Sequence, residues 1–224
     1  MEILLTLAPV KPLAIPPGYH YQVQSAIYAL LRQTDLHDSG ADFCFGALHG
    51  AHEHRAGRLC FRDAVTLEIR TVSEETGSML RDAIVQRGSI RLFDTGCMIE
   101  RMEITRTVIA GGDILVQTDS PILAMTREPD GHTVCHAPED PEFARCIAEN
   151  YRRKFVQHFG TEPVPLRITP TGRCRKIVTQ FKGTWLTAYG GRFRMQGDPA
   201  GLTLLYQAGI GQRNAQGFGL FSIL

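Results

Sequence analysis

The chain has 224 residues, 43% of them hydrophobic, which suits one large globular domain or two small ones. The net charge of +1 hides an asymmetry: from Tyr151 onward eleven Lys and Arg face two acidic residues, while residues 1–150 hold 13 basic against 21 acidic. No apolar run approaches the roughly 20 residues of a membrane-spanning helix. The opening MEILLTLAPVKP lacks a basic region and reads as a strand rather than a secretory signal.

Residues 2–10 form that strand, ended by the Pro-rich turn of residues 11–18. Residues 19–32 place Val23, Ile27, Leu30 and Leu31 on one helical stripe. A polar break (33–40), a short apolar stretch (43–48) and a loop rich in His and Gly (46–58) follow. Residues 65–72 alternate as a half-buried strand, and Ser73 caps a helix over 74–87. Strands at 90–93 and 97–106 complete a β-α-β-β-α-β order, the ferredoxin-like pattern, within residues 1–110.

The same order begins again at Gly111-Gly112, giving a second unit over 111–224. Residues 113–126 read as a strand interrupted at Asp119-Ser120-Pro121, and 127–138 as a polar loop. Phe143, Ile147, Tyr151 and Phe155 recur every four residues along a helix over 141–160. Strands at 164–170, 175–182 and 184–195 precede a short helix at 199–208 and the closing segment GIGQRNAQGFGLFSIL. The fold class expected is therefore α+β, with two tandem ferredoxin-like domains.

Six cysteines, at 44, 60, 97, 135, 146 and 174, show no C-x-x-C pair. They suit free thiols in a reducing cytoplasm better than disulfides or a zinc site. His49, His52 and His54 have a spacing uncommon for zinc, and no Cys or carboxylate pattern completes a tetrahedral set. No metal and no cofactor is expected; a metal-dependent nuclease using this His loop is kept as a rival. The basic second half points to a polyanion, and Arg, which makes up twenty of the 24 basic residues, favours bidentate phosphate contacts.

Gly209, Gly211, Gly217 and Gly219 surround a polar centre with Arg213 and Asn214. Such a loop either presents backbone N–H groups to a phosphate or serves as a hairpin turn before a last strand. Arg173, Arg175, Lys176 and Lys182 line a hairpin-like stretch, and Arg192 and Arg194 alternate on the next strand. Residues two apart on a strand share a face and can form a phosphate rail or merely a charged edge. Trp185, beside Tyr189, reads as core or hairpin packing rather than as a base-stacking residue.

GIGQRNAQGFG, the leading strand with its Pro turn, Ile27-Tyr28, the LHDSG of residues 36–40 and the DSPI of 119–122 occur in an order that resembles one family. It is the CRISPR repeat-RNA endoribonucleases of the RAMP superfamily, the Cas-six type. The resemblance spans nearly the whole chain. It implies metal-independent cleavage of precursor crRNA by the neighbouring 2′-hydroxyl, leaving a 2′,3′-cyclic phosphate. It implies that His37 is the general acid or base, since imidazole gives and takes protons near neutral pH. Tyr28 then assists or positions. The family's Lys after the His is absent here, where Ala41-Asp42-Phe43-Cys44 stands; another cation, such as Arg173, Arg175 or Lys176, replaces it or the rate falls. The partner implied is CRISPR repeat RNA, its backbone cradled by the glycine loop with Arg213 and its hairpin held by the basic stretch from Arg173 to Arg194, with other effector-complex subunits or a second copy of the chain as further candidates and no membrane. A RAMP subunit that holds crRNA without cutting it is the alternative.

Overall fold

The computed structural model describes residues 1–31, 43–181 and 183–224, which divide into two compact units. The first comprises Met1–Arg106 with Ala215–Gly217, the second Thr107–Asn214 with Phe218–Leu224. Among the described residues no helix is long and apolar enough to cross a membrane.

In the first unit, β1 (Glu2–Pro9) buries Ile3, Leu5 and Leu7 completely. It runs antiparallel to β6 (Val65–Thr71) on one side and β8 (Thr95–Thr105) on the other. With β3 (Phe43–Phe45) and β7 (Ser89–Leu92) the sheet order is β3-β6-β1-β8-β7. Two helices cover its apolar face. Val23, Ile27, Leu30 and Leu31 of α1 (His20–Leu31) and Leu80 and Ile84 of α2 (Glu74–Arg87) join one core with the strand residues. Ser73 caps α2 by accepting the Thr76 N–H, and Gly88 ends it at φ 62, where a side chain is disfavoured.

The expected His-rich loop at 46–58 is a correction. Its second half forms β4 (His52–Arg55), which pairs with β5 (Arg58–Phe61) and through it with β2 (Leu13–Ile15). All four β4 residues are exposed, so no apolar alternation announces the strand.

The second unit repeats the order. β9 (Asp113–Thr118), β12 (Arg167–Pro170), β15 (Arg192–Gln196) and β16 (Phe221–Ile223) form a sheet in the order β12-β15-β9-β16. α3 (Pro141–Phe159) and α4 (Pro199–Ala208) complete the ferredoxin-like set, capped by Asp140 and Asp198. On α3, Phe143, Ile147, Tyr151 and Phe155 are buried as their spacing predicts, and Phe143 stacks on Phe193 with centroids 6.0 Å apart. The strand expected over 113–126 ends at Thr118, and Met125 begins β10 (Met125–Arg127), paired with β11 (Thr133–Cys135). A second hairpin, β13 (Arg175–Phe181) with β14 (Thr184–Gly190), sits between β12 and β15 in the chain.

Gly201 sits inside α4 where a Cβ would lie 2.1 Å from the Tyr151 hydroxyl oxygen. Tyr151 is 1% exposed and its ring is rigid. In an open helix Gly→Ala stabilises by about 1 kcal/mol. Here the sign reverses: Gly201→Ala lowers stability by about 1–3 kcal/mol, measurable as a lower urea midpoint at unchanged slope.

Candidate nucleic-acid interface

The segment from Gly209 to Gly219 closes upon itself. Ile210 N–H donates to the Gly219 carbonyl, Gln212 N–H to Leu123, Gly219 N–H to Pro121, and Leu220 N–H to the Ser120 hydroxyl. The Ser222 hydroxyl donates to the Asp119 carboxylate at 2.6 Å. The DSPI segment and the glycine segment, about a hundred residues apart in sequence, are thus one bonded structure. Asn214 fills the centre, its amide N–H groups donating to the carbonyls of Ile210 and Phe218 at 3.0 and 2.9 Å.

The glycines answer to this closure. Gly209, Gly211, Gly217 and Gly219 are buried and all have positive φ. A Cβ on Gly219 would lie 1.9 Å from the Ile210 carbonyl oxygen, and one on Gly211 2.6 Å from that of Leu123. The expectation that these glycines open the loop's N–H groups to a phosphate is therefore corrected in part. The N–H groups of Ile210, Gln212, Gly219 and Leu220 are committed inside the protein. Arg213, at φ 57 and half-exposed between anchored neighbours, is the loop's cationic group.

Arg173, Arg175 and Lys176 are exposed. Arg173 precedes β13, so the pair 173/175 is not a strand rail. Lys182 lies outside the described residues. Arg192 and Arg194 do share one exposed face of β15, alternating with buried Phe193 and Met195. Arg194 holds Asp113 through two N–H groups at 2.8 and 2.5 Å, and Arg192 Nε donates to Gln117. The guanidinium beside Asp113 holds that carboxyl below its ordinary range. Trp185 departs from the packing reading: it is 69% exposed, directly across from Gln180, on the same hairpin face as the pair Lys176 and Tyr189. Alternation with buried Leu186 and Ala188 was the available signal for its outward position.

In the first unit, His37 lies outside the described residues. Tyr28 is half-buried on α1, edge-on to Phe43 with centroids 5.4 Å apart, and burial raises its phenol pKa. His52 and His54 are exposed on β4 with ring centroids 5.5 Å apart. Among the described residues no three His, Cys, Asp or Glu side chains gather as metal ligands would. His20, on the first turn of α1, was not singled out by sequence. It stacks on Tyr19 at 4.9 Å, and a Cβ on Gly217 would lie 2.6 Å from its ring. Burial pushes its pKa down to about 4.

Two ferredoxin-like units in tandem, the second closed by a glycine-rich loop and a final strand, define a RAMP-type protein. The family model described as CRISPR associated protein Cas6, C-terminal, matches residues 104–223, more than half of the chain, and the chain belongs to this family. It is 24% identical over 242 residues to the CRISPR-associated endoribonuclease Cas6 of Pyrococcus furiosus, covering 100% of this chain and 90% of the relative. Its fold is similar to that of a solved Cas6-related protein of Pyrococcus furiosus (TM-score 0.88, 18% identity, 100% and 98% of the two chains). It is also similar to a solved RAMP protein described as binding different RNA substrates (TM-score 0.89, 18% identity, 100% and 99%).

The buried imidazole of His20 sets an acid limit on stability. Its folded pKa of about 4 lies below the ordinary 6.5, so the unfolded chain takes up the proton first. The stabilisation is complete above the unfolded value and is lost as pH falls toward the folded one. Between about pH 7 and about pH 5 the loss is on the order of 2 kcal/mol. Urea midpoints at the two pH values measure it, and His20→Phe shrinks the difference.

Proposed function

We propose that this chain is an endoribonuclease that binds and cuts CRISPR repeat RNA without a metal. The observation that carries the reading is the match along the full chain to a relative named as a CRISPR-associated endoribonuclease, joined to the family's C-terminal region. The reaction is attack of the 2′-hydroxyl on the adjacent phosphorus. It forms the 2′,3′-cyclic phosphate as the bond to the 5′-oxygen breaks, and the departing oxygen takes up a proton to leave a 5′-hydroxyl.

Tyr28 suits one part of this. A phenol ordinarily titrates near 10 and burial moves Tyr28 further up, so it carries its proton at neutral pH. A protonated phenol cannot take the 2′-hydroxyl proton. That task falls to His37, while Tyr28 donates to the phosphate or to the departing oxygen. Arg173, Arg175, Lys176, Lys182, Arg192, Arg194 and Arg213 supply cations for the RNA backbone, and Trp185 adds an exposed aromatic face for a base. A second reading, an RNA-holding subunit that does not cut, is favoured by the absence of the family's Lys after His37. One missing electrostatic donor costs about 10²–10³ in rate, which weakens cleavage without removing it.

Incubation with the repeat RNA of the source genome in excess EDTA tests the reading. The wild-type chain cuts and leaves a cyclic phosphate. His37→Ala retains RNA binding and does not cut, and Tyr28→Phe cuts about 10²-fold more slowly. Cleavage unchanged in His37→Ala, or abolished by EDTA in the wild type, overturns the mechanism. Binding without cleavage in the wild type selects the second reading.

A further inference from the structure

The glycine-rich loop closes around a cation that its own sequence does not contain. Lys154, three turns into α3, directs its ammonium group to the Gly209 carbonyl at 2.7 Å, the Gly211 carbonyl at 3.2 Å and the Asn214 side-chain oxygen at 2.7 Å. An ammonium has three N–H donors, and these three oxygens match them in number. The third contact also orients Asn214. With its oxygen held by Lys154, its NH₂ faces the carbonyls of Ile210 and Phe218, on the two sides of the loop. The glycines leave the space this needs: a Cβ on Gly209 would lie 2.6 Å from the Asn214 amide nitrogen, and one on Gly219 2.8 Å from it.

Gln212 makes a second anchor on the opposite flank of Arg213. Its side chain accepts from the Met125 N–H at 3.1 Å and donates to the Met125 carbonyl at 3.0 Å. Arg213 therefore sits between two residues fixed by their side chains, Gln212 to β10 and Asn214 to Lys154, in the left-handed conformation at φ 57. For a non-glycine residue that conformation persists only where its surroundings over-determine it.

We propose that Lys154 is a positioning residue for RNA: its ammonium holds the glycine-rich loop and Asn214 in the arrangement that presents Arg213 to a backbone phosphate. The proposal rests on the RNA-binding reading above. Lys154 acts through the loop and not by touching the nucleic acid. Hydrogen bonds made by a charged donor are the stronger ones, so losing all three frees the loop from α3. Arg is not a substitute here, because a planar guanidinium cannot aim three N–H groups at one tripod of oxygens.

The test pairs a readout that needs no RNA with one that does. In Lys154→Met the amides of Ile210, Gln212 and Gly219 exchange with solvent at least about tenfold faster than in the wild type, while those of β1 and β6 keep their protection. Asn214→Ala, which removes the same junction from the loop side, gives the same pattern and serves if Lys154→Met does not fold. With repeat RNA, Lys154→Met raises the concentration for half-maximal cleavage about tenfold, more than it lowers the saturated rate, and Lys154→Arg does not restore it. In a double-mutant cycle with Arg213→Ala, the second substitution adds little to the first.

Exchange unchanged in both variants overturns the loop-holding role. Full additivity with Arg213→Ala, or rescue by Lys154→Arg, overturns the positioning role in favour of a direct charge effect. Faster exchange in a protein whose wild type binds no repeat RNA overturns the functional reading instead, so the two failures are told apart.

Discussion

The approach of the Gly219 α-carbon to the Ile210 carbonyl is the contact on which the second unit's closure depends. An added Cβ would stand 1.9 Å from that oxygen, and the carbonyl cannot turn away because it also accepts from Asn214. The chain returns on itself at this point, with Ile210 N–H bonded to the Gly219 carbonyl. From there Phe221 to Ile223 run antiparallel along the edge of β9. Without the return, β9 would have an open edge and the apolar Phe218, Leu220 and Phe221 would have no path into the core. A left-handed residue other than glycine costs about 1–2 kcal/mol. Four glycines at positive φ in eleven residues are the least strained way to make this crossing.

That closure separates two jobs that the glycine-rich sequence does not distinguish. A glycine loop that binds phosphate through its backbone leaves N–H groups open, whereas this one has committed several of them to carbonyls of the DSPI segment and the loop itself. On the proposed reading, its contribution to anion binding comes from a side-chain cation, Arg213, on a rigid support. The basic face of β15 has a similar character. Arg194 is held by Asp113 while remaining 54% exposed, a solvent-screened surface pair that adds little to stability. A phosphate can compete for such a guanidinium at little cost, and until it does the carboxylate fixes where the guanidinium points.

Elements with long-range periodicity were legible in the sequence. The four-residue spacing of Phe143, Ile147, Tyr151 and Phe155 and the alternation in residues 65–71 mark one buried face each. β4 and β10 were not legible, being three or four residues long and defined by their partners β5 and β11 rather than by a pattern of their own. Trp185 was misplaced for a different reason: a single large aromatic suggests a core, whereas its alternation with Leu186 and Ala188 and its register opposite Gln180 put it outside. The site shows the same division. Tyr28 and the glycine loop carry a family pattern in the sequence. Lys154 and His20 carry none, because each has its meaning from residues about 60 to 200 positions away that folding brings to it.

These two residues also show how the protein uses position to set charge. Both are titratable groups on helices, and each is met by the glycine-rich loop: His20 faces Gly217, and Lys154 faces Gly209, Gly211 and Asn214. The loop offers His20 a wall of apolar contact, with Phe45 beside Gly217, and the ring is driven to its neutral form. It offers Lys154 a set of oxygens, which is what an ammonium needs when it leaves water. Oxygens aimed at the loop's interior thus accept from the Lys154 ammonium, and the apolar contact at Gly217 disfavours a charge on His20. On the proposed reading, the loop meets phosphate through Arg213, in addition to the other cations of the second unit, and proton transfer belongs to Tyr28 and His37, while His20 of α1 is kept out of the chemistry by burial.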